Sequence, residues 1–409
     1  MSNDTSDGKS FEIVVFGATG FTGKLAAEYI SKNFPSGFSW AISGRNKERI
    51  EQIYNDLQSK PNPPQKFFVL NHSQREKVFE IVAKAKVALN FAGPFGRYGE
   101  NVVAACAQLG THYLDITGEP VWVQKMIEKY ENDSKRTGAI LIPFSGFDSI
   151  PSDLGVWQAL QSAKEKSPDV SISKVVSVFT VKGGVNGGTF ETFLDGLEGQ
   201  KSESKLSHDS SLLVVGDLKK KFKFADRKWP VYFKERKQTF PPFFMASINS
   251  RVVYRSQALR MSQFSDPQPP FEYTELQKMP TKYARLLSWQ TVLGLDLVGR
   301  VGQFTLGRKL LRHFGPKAGE GPSEAVRNSG FFQVQVYAFS GKKKVSQSEI
   351  YFAGDPGNKA TVTMTCESAR CLLFDQEKLK KIPGGFWTPS TALGSALRDR
   401  LIAAGLRCT

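Results

Sequence analysis

Cysteine, histidine and long apolar runs are all scarce in this chain. Four cysteines in 409 residues are too few for a disulfide framework, and Cys106, Cys366, Cys371 and Cys408 stand at no zinc-ligand spacing. The four histidines are scattered, so no metal site is expected. Such cysteine usage suits a reducing intracellular compartment. No stretch approaches the ~18 uncharged apolar residues of a membrane span, so no transmembrane helix is expected. The opening MSNDTSDGKS is polar and reads as neither a secretory signal nor a membrane anchor. Acidic residues run short in one part of the chain only. Residues 1–150 hold 17 Lys and Arg against 16 Asp and Glu, whereas the remainder holds 38 against 23. A basic second half implies an acidic partner, a phosphorylated cofactor or an anionic lipid surface. Helix-turn-helix, zinc-finger and RNA-binding signatures are lacking, so no nucleic-acid partner is expected.

What is present is a glycine-punctuated start. Residues 11–23 read FEIVVFGATGFTG: an apolar run, three glycines and then an amphipathic run over Leu25–Ile30. Strand, tight turn and helix in that order form the first unit of a dinucleotide-binding domain. Gly17 permits the sharp turn, Gly20 the approach of a pyrophosphate, and Gly23 close packing of helix on sheet. Thr19, Phe21 and Thr22 complete the phosphate-binding turn, with the helix N-terminus offering free amides. A second strand over Phe38–Ser43 ends in Ser43-Gly44-Arg45-Asn46. An acidic residue there would select NAD through the ribose. Arg45 stands there instead, with Lys47 nearby, and favours the 2′-phosphate of NADP(H) over NAD(H).

Further strands are expected at Phe67–Leu70, Val87–Phe91, His112–Ile116 and Ala139–Phe144, with a helix over Asn101–Leu109 and Ser73 as the cap of the helix after the third strand. Asn71 falls where an adenine would lie. Asn90, Ala92 and Gly93 end the fourth strand, where small residues let a nicotinamide pass close to the backbone. The alternation predicts an α/β fold, a doubly wound, mostly parallel sheet whose ligands collect at the carboxyl ends of its strands. Arg45, Asn90, Gly93, Asp115 and Ser145 then face one crevice. Tyr98 and Asp115 are the candidates for proton handling. Tyr98 also suits a packed aromatic, and Glu119 a helix cap. His112 lies at the wrong end of its strand and reads as structural. No tyrosine of the first 150 residues is followed four positions later by lysine, so the short-chain dehydrogenase pair is missing.

The domain boundary is expected near residue 150. SGFDSIPSD at 145–153 leaves the sixth strand into the second domain, residues 151–389, and offers Ser145 and Asp148 as substrate contacts or else forms an interdomain hinge. The run 183–189, with Gly187, Gly188 and Thr189, reads as an amide-lined nest for an anionic group or as a flexible loop. Lys174–Val181, Phe331–Phe339, Lys344–Phe352 and Ala360–Cys366 predict an antiparallel sheet. Thr388-Pro389 caps a last helix, Ser390–Ala404. Residues 217–237 are Lys-rich and suit a surface loop. Tyr283–Phe314 is rich in Leu and Val, with Arg285, Arg300, Arg308, Lys309 and Arg312 against Asp296 alone. Such a segment suits a helix lying in a membrane interface, a buried amphipathic helix or a homodimer contact.

Several stretches together resemble the saccharopine dehydrogenase-like oxidoreductases: GATGFTG (17–23), SGRN (43–46), NFAGPFGRYGE (90–100), THYLDITGE (111–119), SGFDSIPSDLG (145–155), GGVNGGTFET (183–192), GEGPSE (319–324) and GGFWTPSTALG (384–394). The resemblance implies an NAD(P)-binding domain, a second α+β domain, and a final helix docked on the first. It also implies kinship with bacterial trans-acting enoyl reductases, and with animal and fungal proteins on lipid droplets and membranes. Saccharopine itself would need several arginines aimed at carboxylates; Arg97 faces the crevice, but no such cluster accompanies it. The expected activity is therefore an NADP(H)-dependent oxidoreductase acting on a lipid-like carbonyl or enoyl substrate, intracellular and peripheral to a lipid droplet or organelle membrane. The alternative is a catalytically silent, cofactor-binding scaffold on such a surface.

Overall fold

The computed structural model describes residues 8–317 and 319–409, apart from the side chains of residues 198–207. Most of the polar opening stretch thus lies outside the described residues. The first part alternates strand and helix: β1 (Phe11–Phe16), α1 (Phe21–Asn33), β2 (Trp40–Gly44), α2 (Lys47–Leu57), β3 (Lys66–Val69), α3 (Arg75–Val82), β4 (Ala85–Asn90), α4 (Phe95–Tyr98), α5 (Glu100–Leu109), β5 (His112–Asp115), α6 (Pro120–Thr137) and β6 (Ile140–Ile142). β1, β2 and β4 are near-continuous buried runs, as strands covered on both faces require. Two local expectations change. β6 stops at Ile142 because Phe144 adopts φ 61°, which no strand accommodates. Gln74, not Ser73, precedes α3, since the Ser73 amide donates to Asn71 Oδ1 at 3.1 Å in a turn of its own.

The second part runs α7 (Ile150–Lys166), β7 (Lys174–Lys182), α8 (Gly187–Ser207), β8 (Val231–Phe233), β9 (Gln238–Phe240), α9 (Ala246–Gln263), β10 (Glu272–Gln277), α10 (Ala284–Gly302), α11 (Thr305–Phe314), α12 (Glu324–Ser329), β11 (Phe331–Ser340) and β12 (Lys343–Ala353). It closes with α13 (Thr361–Phe374), α14 (Gln376–Leu379), β13 (Gly385–Phe386), α15 (Pro389–Ala392), α16 (Gly394–Ala403) and β14 (Arg407–Cys408). The second sheet has the order β10-β7-β11-β12-β14. β11 and β12 pair antiparallel, as expected, but β10 lies parallel to β7, so the sheet is mixed. The long crossover through α8 and α9 permits that parallel pairing.

Residues 360–366, expected as a strand, are helical. Asp355 accepts from the Lys359 amide at 3.1 Å, and Thr363 and Thr365 return their hydroxyls to Lys359 O and Thr361 O. Packing then overrides the β-branched composition, because α13 lies against α1, α16, β4 and β5 and is buried nearly throughout. The last helix is broken at Gly394, φ 44°, and packs on α7, α9 and α13. What reaches the first sheet is β13, which pairs with β6 at the edge of a seven-stranded parallel order β13-β6-β5-β4-β1-β2-β3. One apolar cluster joins Ile13 and Leu89 of the first sheet, through Phe147 and Leu154, to Val334 and Ile350 of the second.

Candidate cofactor crevice and active site

The β1–α1 turn sits at the topological switch point between β4 and β2. Gly17 has φ 79°, and a Cβ there would lie 2.8 Å from the Ala92 amide nitrogen. A Cβ on Gly23 would strike the Gly17 carbonyl, and one on Gly44 would strike Thr19. These glycines bring α1 onto the turn and β2 onto its flank. Gly20 caps α1 without a side-chain acceptor, and the first turn carries no acid. The amides of Phe21, Thr22 and Gly23 therefore have no intrahelical acceptor, the state that suits a pyrophosphate. The cradle thus fits a dinucleotide.

Ser43 is buried, its hydroxyl donating to Val15 O at 3.4 Å. Arg45 is exposed, its guanidinium 5.0 Å from the centre of the Tyr98 ring. Tyr98 therefore stands at the β2 edge, where a 2′-phosphate and its adenosine belong, and away from the β5–β6 edge. His72, buried below, donates through Nδ1–H to Tyr98 O at 3.3 Å. Burial first, with the Arg45 charge second, lowers its pKa to about 4. Asn46 caps α2, accepting from the Arg49 amide at 2.7 Å. Asn90 is buried; it accepts from the Ala92 amide at 3.0 Å and donates to the Tyr113 hydroxyl. Asn46, Asn71 and Asn90 thus shape the loops with their carbonyl oxygens.

Asp115 is fully buried at the end of β5. It accepts from the Thr117 and Phe144 amides, each at 3.0 Å, and from the Tyr113 hydroxyl at 2.9 Å. Burial raises its pKa to about 7. A proton donor must reach its acceptor, and Asp115 reaches only the fold. Ser145 is likewise buried, donating to Ile142 O at 2.8 Å. Glu119 does act as a cap, though of another helix: its oxygens accept from the Phe95 and Gly96 amides at 2.7 and 2.8 Å, at the start of α4. His112 is half-buried and accepts from the Ile140 amide at 3.0 Å; desolvation lowers its pKa to about 4.

Asp148 differs from all of these. Half-buried in the loop from β6 to α7, it makes no hydrogen bond among the described residues, and burial alone raises its pKa to about 6. It faces Gly118: a Cβ there would lie 3.8 Å from Asp148 Oδ2 and 3.7 Å from Ile248 Cδ1. The glycine leaves open the space between the carboxyl and α9. Sequence reasoning took Asp148 for a substrate contact and could not see that its carboxyl has no partner.

The second domain roofs the crevice. Arg97 pairs with Asp195 of α8 at 2.6 Å, and a Cβ on Gly93 would lie 3.8 Å from Thr192 Oγ1. Asn186 accepts from the Thr189 amide at 3.0 Å and donates to Thr22 Oγ1 at 3.4 Å, while the Gly187 amide donates to Glu320 O at 3.0 Å. The glycine run is thus filled from within the protein. Residues 319–322 form a strap: Gly321 lies against the Phe21 ring and Gly319 against the Arg49 guanidinium. The roof and strap escaped sequence reasoning, because their contacts with the first turn of α1 span some 160 to 300 positions.

Comparison with known proteins fixes the family. Residues 13–142 match the model of the saccharopine dehydrogenase NADP-binding domain. A Mycobacterium tuberculosis protein provisionally named a trans-acting enoyl reductase is 31% identical, over 98% of both chains. The chain belongs to the saccharopine dehydrogenase-like oxidoreductases. A trans-acting enoyl reductase of Mycobacterium bovis is 29% identical over 97% of each chain. The apo saccharopine dehydrogenase (L-Glu forming) of Saccharomyces cerevisiae shares the fold, with a TM-score of 0.55 at 10% identity over 97% of this chain and 99% of that one. This saccharopine dehydrogenase-like protein is an NAD(P)-dependent oxidoreductase with a Rossmann-like sheet and a second, mixed-sheet domain. No helix among its described residues is long and apolar enough to cross a membrane.

Proposed function

We propose that the protein is an NADP(H)-dependent reductase of a lipid-like enoyl or carbonyl compound, with Asp148 as its proton donor. The observation that carries this reading is the pairing of an open phosphate turn with an unpartnered carboxyl at the same edge of the sheet. Gly17, Thr19, Gly20, Phe21, Thr22 and Gly23 hold the pyrophosphate. Gly44 and Arg45 take the 2′-phosphate, with Tyr98 stacked on the arginine, and Ala92 and Gly93 leave the backbone bare beside the turn. When bound, the reduced dinucleotide supplies hydride. Asp148 holds at its carboxyl the proton that the reduced substrate takes up, and its raised pKa keeps that proton available near neutrality. The roof helix α8 excludes water from the reacting bond. The names of the enoyl reductase relatives and the apolar wall at Ile248 favour an acyl chain over a triacid.

The second half supports a peripheral attachment to an anionic membrane or lipid-droplet surface. Trp229 of the Lys-rich segment stands 5.8 Å from Trp289 of α10, which joins nine basic residues of 217–237 to the apolar face of α10 and α11. Leu306 and Phe314 there are 78% and 81% exposed. An apolar face rimmed by cations is the pattern of an interfacial helix.

NADPH oxidation with a long-chain trans-2-enoyl thioester, and with the matching ketone, tests the reductase. Turnover that Asp148→Asn lowers at least tenfold, with NADPH affinity unchanged, is the expected result. Tight NADPH binding without turnover on either compound assigns the chain to the scaffold class instead. Flotation with phosphatidylglycerol vesicles but not phosphatidylcholine vesicles is expected of the membrane surface.

A further inference from the structure

Where α10 meets α11 the chain leaves an open groove of about 670 Å³. Gly307 creates it: a side chain there would strike the Val301 carbonyl, so α11 can close on the end of α10 only at a glycine. Arg308 turns inward and donates to Gly302 O at 3.1 Å and Gln303 O at 3.2 Å, which ties the two helices together and removes its charge from the surface. The groove floor is apolar, built by Val301, Phe304, Leu306 and Leu310. Arg300, Lys309 and His313 also line the groove, and no acidic residue does. Arg300 is engaged with Asp296 at 2.7 Å, whereas Lys309 has no carboxylate partner among the described residues. The volume falls within the ~300–1,000 Å³ of small-molecule sites.

An apolar trough lined in part by cations has a specific complement, a single hydrocarbon chain ending in an anion. We infer that this groove seats one acyl chain of an anionic phospholipid, with Lys309 and His313 holding its phosphate. The inference rests on the lipid-facing reading of α10 and α11 and deepens it from a surface to a site. It also ties that site to the crevice roof. α8 packs on the hairpin through Leu197 against Gly302 and Phe190 against Gly315, and Arg312 reaches Glu191 at 3.3 Å. The helix that covers the reacting edge is thus held by the walls of the groove.

A monomeric amphiphile separates groove from surface. Dodecyl phosphate below its micellar concentration, titrated into the full-length protein and followed by calorimetry, is expected to bind saturably at one site. Inorganic phosphate should neither bind nor compete. Lys309→Glu should weaken dodecyl phosphate about tenfold, the effect of losing one cation at a lipid phosphate, and leave dodecyl maltoside, which carries no phosphate, unchanged. Leu306→Asp with Leu310→Asp should abolish both. These leucines are exposed, so the fold does not depend on them, and an unchanged NADPH titration verifies that. Retained binding in the double variant overturns the groove. So does a wild-type protein that floats with anionic vesicles yet ignores the monomer, a result that leaves the lipid-facing surface standing. A self-associating wild type that the double variant returns to monomer, with no amphiphile bound, gives the groove to a second copy and also overturns the inference.

Discussion

Two glycine-rich turns precede helices in this protein, and they end in opposite states. At 17–23 the residue before α1 is Gly20, which offers no side chain, and no acid stands in the first turn. At 183–188 the residue before α8 is Asn186, whose oxygen takes the Thr189 amide, while Glu320 O takes the Gly187 amide. Composition made both turns look like anion cradles. The cap residue decides between them, because a helix N-terminus binds an external anion only while its own chain leaves the amides free. Asp115 and Asp148 repeat the contrast among carboxyls at the same sheet edge. One is saturated by two amides and a hydroxyl, the other has no partner. Function is assigned here to what the fold leaves open.

The sharpest way to break that contrast is a methyl group in each turn. Gly17→Ala places a Cβ 2.8 Å from the Ala92 amide at φ 79° and should weaken NADPH binding at least ~100-fold, with ~2 kcal/mol or more of lost stability. Gly188→Ala meets only Asn186 Oδ1 at 3.2 Å and should change NADPH affinity less than about threefold. Fluorescence titration of both variants decides; equal losses would mean that α8 also carries the phosphates. Arg45→Glu comes next. Removing a charged pair of bonds to a 2′-phosphate is worth ~1.5–3 kcal/mol, or roughly 10- to 100-fold in NADPH affinity. NADH affinity should stay level or rise. Equal effects on the two coenzymes would remove Arg45 from the 2′-phosphate site.

Much of the first sheet was legible because its strands are short apolar runs separated by helices, a pattern set locally. Gly17 and Gly23 were legible for the same reason, since tight turns leave one residue type available. The site's polar side chains were harder. Whether Asn46, Asn90 or Ser145 meets a ligand or the backbone depends on one bond to a neighbouring loop, which the sequence does not show. Tyr98 is placed by a contact that the sequence does not show, its ring lying 5.0 Å from the Arg45 guanidinium beyond β2. Residues 360–366 were misread because Thr and Val favour strands when exposed on a pleat, yet burial against α1 and α16 makes them helical.

The carboxyl contrast is tested by pH. Burial raises the Asp148 pKa in the folded chain above its unfolded value, so the fold favours the protonated form. Its ionisation penalty is absent below pH ~4, grows as pH rises to about 6, and stays constant above. Asp148→Asn removes the penalty. Thermal stability should therefore rise at pH 8 by ~1–2 kcal/mol, less than the full ~1.4 kcal/mol per unit because the carboxyl keeps some solvent, and should not change at pH 4. A gain of equal size at both pH values would mean that the asparagine packs better, and the carboxyl would lose its standing as an unpartnered acid.

The smallest expected effect reads the filled turn directly. Asn186→Ala deletes the acceptor for the Thr189 amide and the donor to Thr22 Oγ1 and Asn358 Oδ1, the loss of an N-cap worth ~1 kcal/mol together with one buried hydrogen bond of about the same size. A drop of a few degrees in Tm is expected for a chain of this length, with NADPH affinity within about twofold. Only the Thr189 amide is released, the Gly187 amide staying on Glu320 O; residue 186 lies against Thr22 of α1, so a phosphate-bearing ligand could now be shared between the two helices. A rise in NADPH affinity beyond about threefold would show that Asn186 holds a second cradle shut, and that the two turns differ by a single cap residue rather than by position in the fold.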